Sequence, residues 1–246
     1  MENKILVILP TCNEKKNIGK IIGKILWLEG FNILVIDDAS SDGTAGIVRE
    51  FMKKTNKVHL IERPAKLGLG TAYVAGFKWG LENNYDYFIE MDADGSHNPE
   101  SLPWFIKEME KGCDLVIGSR YLEGKISVVG WDFHRLLLSK FGNFYASRLL
   151  RLPFSDLTSG FRCYSRKALE SLDLNRVKSN GYAFQIEMVY WIRTSGLKIG
   201  EMPIIFFERN SGSSKMSHAI IWEAVRLPWR VRIERFKSAI RGNNKK

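Results

Sequence analysis

The 246-residue chain contains no run of the ~18 consecutive uncharged apolar residues that a helix needs to span a bilayer, so it is not expected to cross a membrane by itself. Cysteine is scarce. Cys12, Cys113 and Cys163 are odd in number, widely scattered and in no metal-ligand spacing, which argues against a disulfide framework and points to a reducing compartment. With four histidines in all, imidazole chemistry has few candidates. The Gly-Lys-Ser/Thr of a phosphate-binding P-loop is missing, and so is the Gly-x-Gly-x-x-Gly dinucleotide fingerprint. A secretory leader is not expected, because residues 1–9 lead straight into Pro10-Thr11-Cys12-Asn13-Glu14 without a small-residue cleavage site. Acidic residues are outnumbered, 27 against 37 basic, for a formal charge of +10. Most of that excess sits at one end: Lys215 to Lys246 carries nine Lys/Arg and two Glu. A basic end of this kind suits contact with a polyanion, a membrane surface or a nucleic acid.

What is present is ordinary for a globular protein, 45% apolar and 26% charged. Ile5–Leu9 and Ile33–Ile36 are continuous apolar runs fit for strands buried on both faces, and Val58–Ile61 and Leu115–Gly118 read similarly. Between them lie helical patterns: Ile18, Ile21, Ile22 and Ile25, with Asn13 or Asn17 as cap; Ile47, Val48 and Phe51; Thr71–Leu81; Glu100–Lys111 after Pro99; and an amphipathic stretch over Phe133–Leu150. Strands alternating with helices predict an α/β fold with a mostly parallel sheet, whose ligands sit beyond the strands' carboxyl ends.

The polar clusters fall at those ends. Asn13-Glu14, Asp37-Asp38, the loop Arg63 to Gly70, and Asp92-Ala93-Asp94-Gly95 after the strand Tyr87–Met91 all converge on one rim. Alternation along a strand lets Asp92 and Asp94 point the same way. Two carboxylates brought close repel unless a cation or donors intervene, and oxygen ligands of this type suit Mg²⁺ or Mn²⁺ bound together with substrate phosphates. Lys66 with Gly68 and Gly70 could approach a diphosphate.

Several segments occur in a familiar order: Pro10-Thr11-Cys12-Asn13-Glu14, Val35 to Thr44, Lys66 to Tyr73, Met91 to His97, Gly118-Ser119-Arg120-Tyr121, Asp156 to Arg162, Gly181 to Met188, and Glu208-Arg209 through Ser213-Ser214-Lys215. Together they resemble family 2 glycosyltransferases of the GT-A fold, and within them the dolichol-phosphate (polyprenyl-phosphate) mannosyltransferases. The resemblance, which covers roughly residues 4–216, implies a Rossmann-like, three-layer catalytic domain over residues 1–216; residues 217–246 read from their own composition as a basic amphipathic helical tail. It implies Pro10, Glu14 and Asp38 around the base and ribose, Lys66 by the diphosphate, and Asp92 and Ala93 against the sugar nucleotide. Asp94, with Ser96, would hold the metal. Arg120 would lie near the phosphates, and Trp131, Arg135 and Ser139 in the segment that meets the acceptor's phosphate. Arg209 and Lys215 would close over the nucleotide. Cys12 departs from the pattern, which has tyrosine there.

The implied reaction moves mannose from GDP-mannose to a polyprenyl (dolichyl) phosphate with inversion; UDP-glucose is the alternative donor. A phosphate monoester with a second pKa of about 6 is already largely dianionic at neutral pH, so no strong base is needed. His97 is accordingly expected to be structural. The tail, with Trp222, Trp229 and other apolar residues among basic ones, and Pro228 expected to kink or split it, predicts a peripheral enzyme on the cytoplasmic face of a membrane, binding lipid or a small membrane protein. No nucleic-acid motif is present, and a nucleic-acid partner would leave the rim carboxylates without a role.

Overall fold

A computed structural model describes residues 3–177, 179–208 and 225–233. Its centre is a seven-stranded sheet made of β1 (Ile5–Thr11), β2 (Phe31–Asp38), β3 (Val58–Arg63), β4 (Tyr87–Glu90), β5 (Leu115–Ser119), β7 (Arg162–Ser165) and β8 (Ile199–Pro203), in the order β3-β2-β1-β4-β7-β5-β8. Every pairing is parallel except those of β7, which runs antiparallel to both β4 and β5. Two short strands, β6 (Val128–Val129) and β9 (Phe206–Phe207), pair separately.

The continuous apolar runs are explained by burial on both faces. Leu6, Ile8, Leu34 and Ile36 pack with Tyr73 and Phe77 of α3 (Leu69–Glu82) and with α7 (Gly181–Thr194). Their neighbours Val7, Leu9, Ile33 and Val35 pack on the other face with α1 (Ile18–Leu26), α2 (Thr44–Met52) and α4 (Leu102–Glu110). The alternation of period two thus feeds two cores, and register locks it: Ile8 pairs with Glu90 on one side and with Leu34 on the other.

Boundaries differ from the expectation in small ways with clear causes. β4 ends at Glu90, one residue early. A 3-10 turn, Pro99–Ser101, begins α4; the Asn98 side chain accepts from Glu100 N at 3.2 Å there. Asn17 precedes α1 but its side chain donates to Glu14 Oε2 at 2.9 Å and makes no cap bond. α5 (Phe133–Leu150) has the expected bounds, opened by Asp132 accepting from Arg135 N at 2.8 Å. Its orientation is unusual: Ser139, Asn143 and Ala146 face inward while Phe133, Leu137, Phe141 and Phe144 are exposed. After α5 comes α6 (Arg166–Glu170), following β7. The tail was expected to kink or split at Pro228; instead residues 225–233 form one uninterrupted helix, with Leu227 and Val231 buried in the α3/α7 core.

α3 sits unusually close to the sheet, and two glycines permit it. A Cβ at Gly76 would lie 2.7 Å from Ile8 Cγ2, and one at Gly80 2.5 Å from the Phe88 ring. Gly80→Ala is therefore expected to destabilise the protein by about 1–3 kcal/mol through overpacking, despite alanine's better helix propensity. Urea unfolding checks this, and an unchanged midpoint would show that the helix can move away at no cost.

Candidate active site

The parallel strands deliver their ends to one cavity of about 420 Å³, lined by residues that include Pro10, Thr11, Cys12 and Glu14 after β1, Asp38 after β2, Lys66 and Gly68 before α3, and Asp92, Ala93 and Asp94 after β4. The rim's carboxylates have different surroundings. Asp37 is held within the fold, accepting from Thr11 Oγ1 at 2.7 Å and from Ser40 N and Oγ at 2.9 and 2.6 Å. Asp38 is paired with the Arg63 guanidinium and accepts from Leu67 N at 3.1 Å and Gly68 N at 3.3 Å, which fixes the loop entering α3. Gly68 adopts φ +100°, a conformation that glycine alone takes readily, and the N-terminus of the 14-residue α3 opens beside the cavity, where its dipole favours an anion. Lys66 is exposed at the same edge.

Asp94 is nearly buried, and its Oδ1 accepts from Ser96 N at 3.0 Å. Ser96 Oγ is buried without a hydrogen-bond partner. An oxygen left so beside a carboxylate is what a hard divalent cation requires of a partial ligand set, the remaining positions being filled by water and substrate phosphates. No three His, Cys, Asp or Glu side chains cluster as a metal site among the described residues. His97 acts within the fold: its Nδ1 accepts from Asp92 N at 3.1 Å, its ring stacks on Phe161 at 4.7 Å, and burial lowers its pKa to about 4, so it is neutral.

Beneath this floor lies Glu90, fully buried, its Oε2 accepting from Gln185 Nε2 at 2.8 Å. Gln185, on α7, lines the cavity, and so does Gly160, where a Cβ would stand 3.9 Å from the Asp92 carboxylate. Neither residue was singled out from the sequence, although both lie within its recognisable segments. The same is true of Gly181 and Tyr182 at the start of α7, of Thr158 and of Glu208, whereas Asn180, also on the cavity wall, lies just outside those segments.

Arg135, on α5, donates to Glu208 Oε1 at 2.9 Å and lies 4.2 Å from the centre of the Trp131 ring. It also lines a second, almost wholly apolar cavity of about 270 Å³, together with Trp131, Leu138, Ser139, Phe141, Tyr145 and Val225. Arg135, Thr158 and Tyr182 are common to both cavities, so the two adjoin. Ser139 Oγ accepts from Tyr121 OH at 2.8 Å. Arg120, expected at the phosphates, lines neither cavity. Its fork is engaged by buried Asp156 at 2.6 and 2.7 Å and by Thr158 Oγ1 at 2.8 Å, an ion pair that keeps Asp156 below the usual carboxylate range although burial opposes it. Arg209 and Lys215 lie outside the described residues.

Burial, partly offset by Arg162, raises the pKa of Glu90 to about 8, so its folded form holds a proton that the unfolded chain has lost above its ordinary value of 4.5. Stability from this group is full below about pH 4.5 and declines as the pH rises toward 8. Glu90→Gln is expected to melt at a higher temperature than the parent at pH 8 and to lose that advantage near pH 5. Parallel melting curves at both pH values test it; a variant equally destabilised at both would show that the carboxyl's protonation is irrelevant.

The family model for glycosyl transferase family 2 matches residues 6–173. The polyprenol monophosphomannose synthase of Mycolicibacterium smegmatis is 44% identical over 224 residues, covering 90% of this chain and 84% of that protein. The undecaprenyl-phosphate mannosyltransferase of Micrococcus luteus is 42% identical over 223 residues, covering 90% and 91%. Among solved structures, glucosyl-3-phosphoglycerate synthase from Mycobacterium tuberculosis, in complex with UDP, superposes with a TM-score of 0.65 over 92% of this chain and 80% of that one, at 18% identity. A second structure of that enzyme holds Mn²⁺, UDP and glucosyl-3-phosphoglycerate, with a TM-score of 0.64 at 19% identity. At such identities the likeness speaks for the fold, which is GT-A-like. With a matched family model reaching from β1 past β7, and two relatives above 40% identity over 84% and 91% of their own length, this chain belongs to glycosyl transferase family 2.

Proposed function

We propose that the chain transfers mannose from GDP-mannose to a polyprenyl phosphate such as dolichyl phosphate, giving a β-linked lipid phosphate mannose. The observation that carries this reading is the seam between the cavities: a cavity over the strand ends that carries Glu14, Asp38, Lys66, Asp92 and Asp94 meets an almost wholly apolar one, with Arg135 at their junction. A lipid phosphate has that profile, a charged end on an insoluble chain. The two relatives named for polyprenol and undecaprenyl-phosphate mannosyl chemistry support the same acceptor class.

On this reading the nucleotide lies along Pro10, Glu14 and Asp38, its diphosphate near Lys66 and the α3 N-terminus. Asp92 and Ala93 face the sugar. Asp94 and Ser96 would hold Mg²⁺ or Mn²⁺, which neutralises charge developing on the leaving diphosphate. Arg135 receives the acceptor phosphate, its planar fork matched to phosphate oxygens, while Ser139 lines the adjoining apolar wall. A phosphate oxygen attacks the anomeric carbon as the bond to GDP breaks, which inverts the configuration. Arg120, by contrast, acts through Asp156 and Thr158, holding the wall that both cavities share.

The outward apolar residues of α5 support peripheral attachment to a membrane. Phe133, Phe141 and Phe144 are 68%, 65% and 63% exposed, with Lys140 and Arg148 beside them. Trp229 and Ile233 of the 225–233 helix are also exposed, and Trp229 Nε1 donates to Tyr145 OH of α5 at 3.1 Å, so the two surfaces adjoin. Large apolar side chains among basic ones fit a bilayer interface, and a small membrane protein could cover the same surface. No helix among the described residues is long and apolar enough to cross a membrane.

Radiolabelled GDP-mannose or UDP-glucose, incubated with a short polyprenyl phosphate and Mn²⁺ or Mg²⁺, tests the reaction. Label is expected in the organic phase from GDP-mannose alone, to vanish with chelator and to return with metal; transfer from UDP-glucose alone would replace the donor. Asp94→Asn should lower kcat by about 10²–10³-fold at unchanged melting temperature. A fully active variant would remove Asp94 from the metal site. Phe141→Glu with Phe144→Glu should lower sedimentation with anionic phospholipid vesicles by at least about fivefold, leaving binding of GDP intact; undiminished sedimentation would assign the membrane contact elsewhere.

A further inference from the structure

The 225–233 helix, whose Leu227 and Val231 pack in the α3/α7 core, reaches the frame of the 420 Å³ cavity with the side chain of Arg230. Glu187, on α7, is 1% exposed, and its Oε2 accepts from Ser179 Oγ at 2.5 Å, from Ser179 N at 3.3 Å and from an Arg230 guanidinium nitrogen at 3.0 Å. The same Arg230 nitrogen donates to Ser179 Oγ at 2.5 Å. Trp191 Nε1 approaches the other carboxylate oxygen at 3.4 Å. A carboxylate sealed this far from water needs a cation with its remaining lone pairs bonded, and Arg230 supplies it.

The segment held by this pair is tightly confined on its other side. A Cβ at Gly70 would stand 2.4 Å from the Ser179 carbonyl oxygen, and one at Gly68 2.6 Å from Asn180 Oδ1. Residues 179–180 are therefore pressed between the Arg230–Glu187 pair and the first turn of α3. Gly68, Leu69, Asn180 and Gly181 all line the 420 Å³ cavity.

We propose that Arg230 is a positioning residue for the sugar-nucleotide donor: by holding Glu187 and Ser179 it seats Asn180 against Gly68 and fixes the side of the nucleoside-diphosphate pocket formed by the starts of α3 and α7. The proposal rests on the reading of that cavity as the donor site. It gives the C-terminal helix a task inside the catalytic machinery, because the residue next to Arg230 is the exposed Trp229. Loss of the cation leaves a buried charge that the 179–180 segment must move to hydrate, and the diphosphate side of the cavity moves with it.

The test compares Arg230→Met, Arg230→Lys and the pair Arg230→Met with Glu187→Gln, in full-length protein. Calorimetry reads GDP binding with Mn²⁺, and steady-state kinetics reads each KM. In Arg230→Met, the Kd for GDP and the KM for GDP-mannose are expected to rise about tenfold, while the acceptor KM and kcat at saturating donor change less than about threefold. Arg230→Lys should fall between, and the double variant should return the donor KM to within about threefold of the parent, since a neutral pair needs no cation. The double variant also carries the comparison if Arg230→Met does not fold. Unchanged donor binding, or equal weakening toward donor and acceptor, would overturn the positioning role. If the parent protein bound neither GDP nor UDP, the donor-site reading would fall, and this proposal with it.

Discussion

The fully buried guanidinium of Arg162 ties together the parts that make the site. It stands opposite Glu90 where β7 pairs with β4, and it donates to the carbonyls of Leu157 at 2.6 Å, Ser159 at 2.7 Å and Gln185 at 2.6 Å. One rigid fork thus joins the turn carrying Thr158 and Gly160, the strand that leads to Asp92, and the first turns of α7. Arginine suits this position because it remains charged and offers donors in several fixed directions, all of which must be met by acceptors when water is absent. The partial offset it gives to Glu90 is not enough to ionise that carboxyl easily, so below about pH 8 the Arg162 charge under Asp92 is met by neutral acceptors.

Around that centre, the structure separates charges that must stay closed from charges that must face a ligand. Arg63 and Arg120 each close on a carboxylate, Asp38 and Asp156, and each also reaches a threonine, Thr71 or Thr158. Ion pairs buried in this way cost desolvation and are modest contributors to stability, so their benefit is geometric: they set the loops before α3 and after β5. Asp94 and Ser96 line a different environment, in which a buried hydroxyl oxygen has no protein partner.

Much of this was legible in the sequence because the relevant signals are local. Ile5–Leu9 and Ile33–Ile36 announce doubly buried strands, and a strand ending in Asp92-Ala93-Asp94 needs only period-two geometry to suggest a ligand site. What escaped is what depends on distant partners. β7 is four residues long and begins with a charged side chain, so no pattern marks it as the antiparallel strand between β4 and β5. Arg120 looks like a phosphate ligand until Asp156, 36 positions away, is seen to occupy its fork. The apolar residues of α5 are spread around the helix rather than gathered on one side, contrary to the amphipathic expectation, so no spacing in the sequence tells which side is turned inward. In the tail the apolar residues divide between two environments, Leu227 and Val231 in the core and Trp229 and Ile233 outside, a division that spacing alone leaves open.

The inverted helix α5 makes sense once the proposed acceptor is considered as a physical object. A polyprenyl phosphate cannot leave the bilayer without exposing its chain, yet its phosphate must reach a sugar held over the strand ends. A protein solves this with three surfaces in series: an apolar exterior at the lipid boundary, an apolar channel for the first isoprene units, and a cation where the channel meets the polar cavity. α5 contributes to all three. Phe133 and Phe144 face outward, Leu138, Phe141 and Tyr145 line the apolar cavity, and Arg135 stands at the seam. A helix with those duties cannot concentrate its apolar residues on one buried stripe, and its polar residues Ser139 and Asn143 are drawn inward, where Tyr121, Thr158 and the Leu157 amide meet them. The proposed acceptor's split chemistry, an insoluble chain ending in two negative charges, accounts for a helix that turns Ser139 and Asn143 inward and its phenylalanines outward.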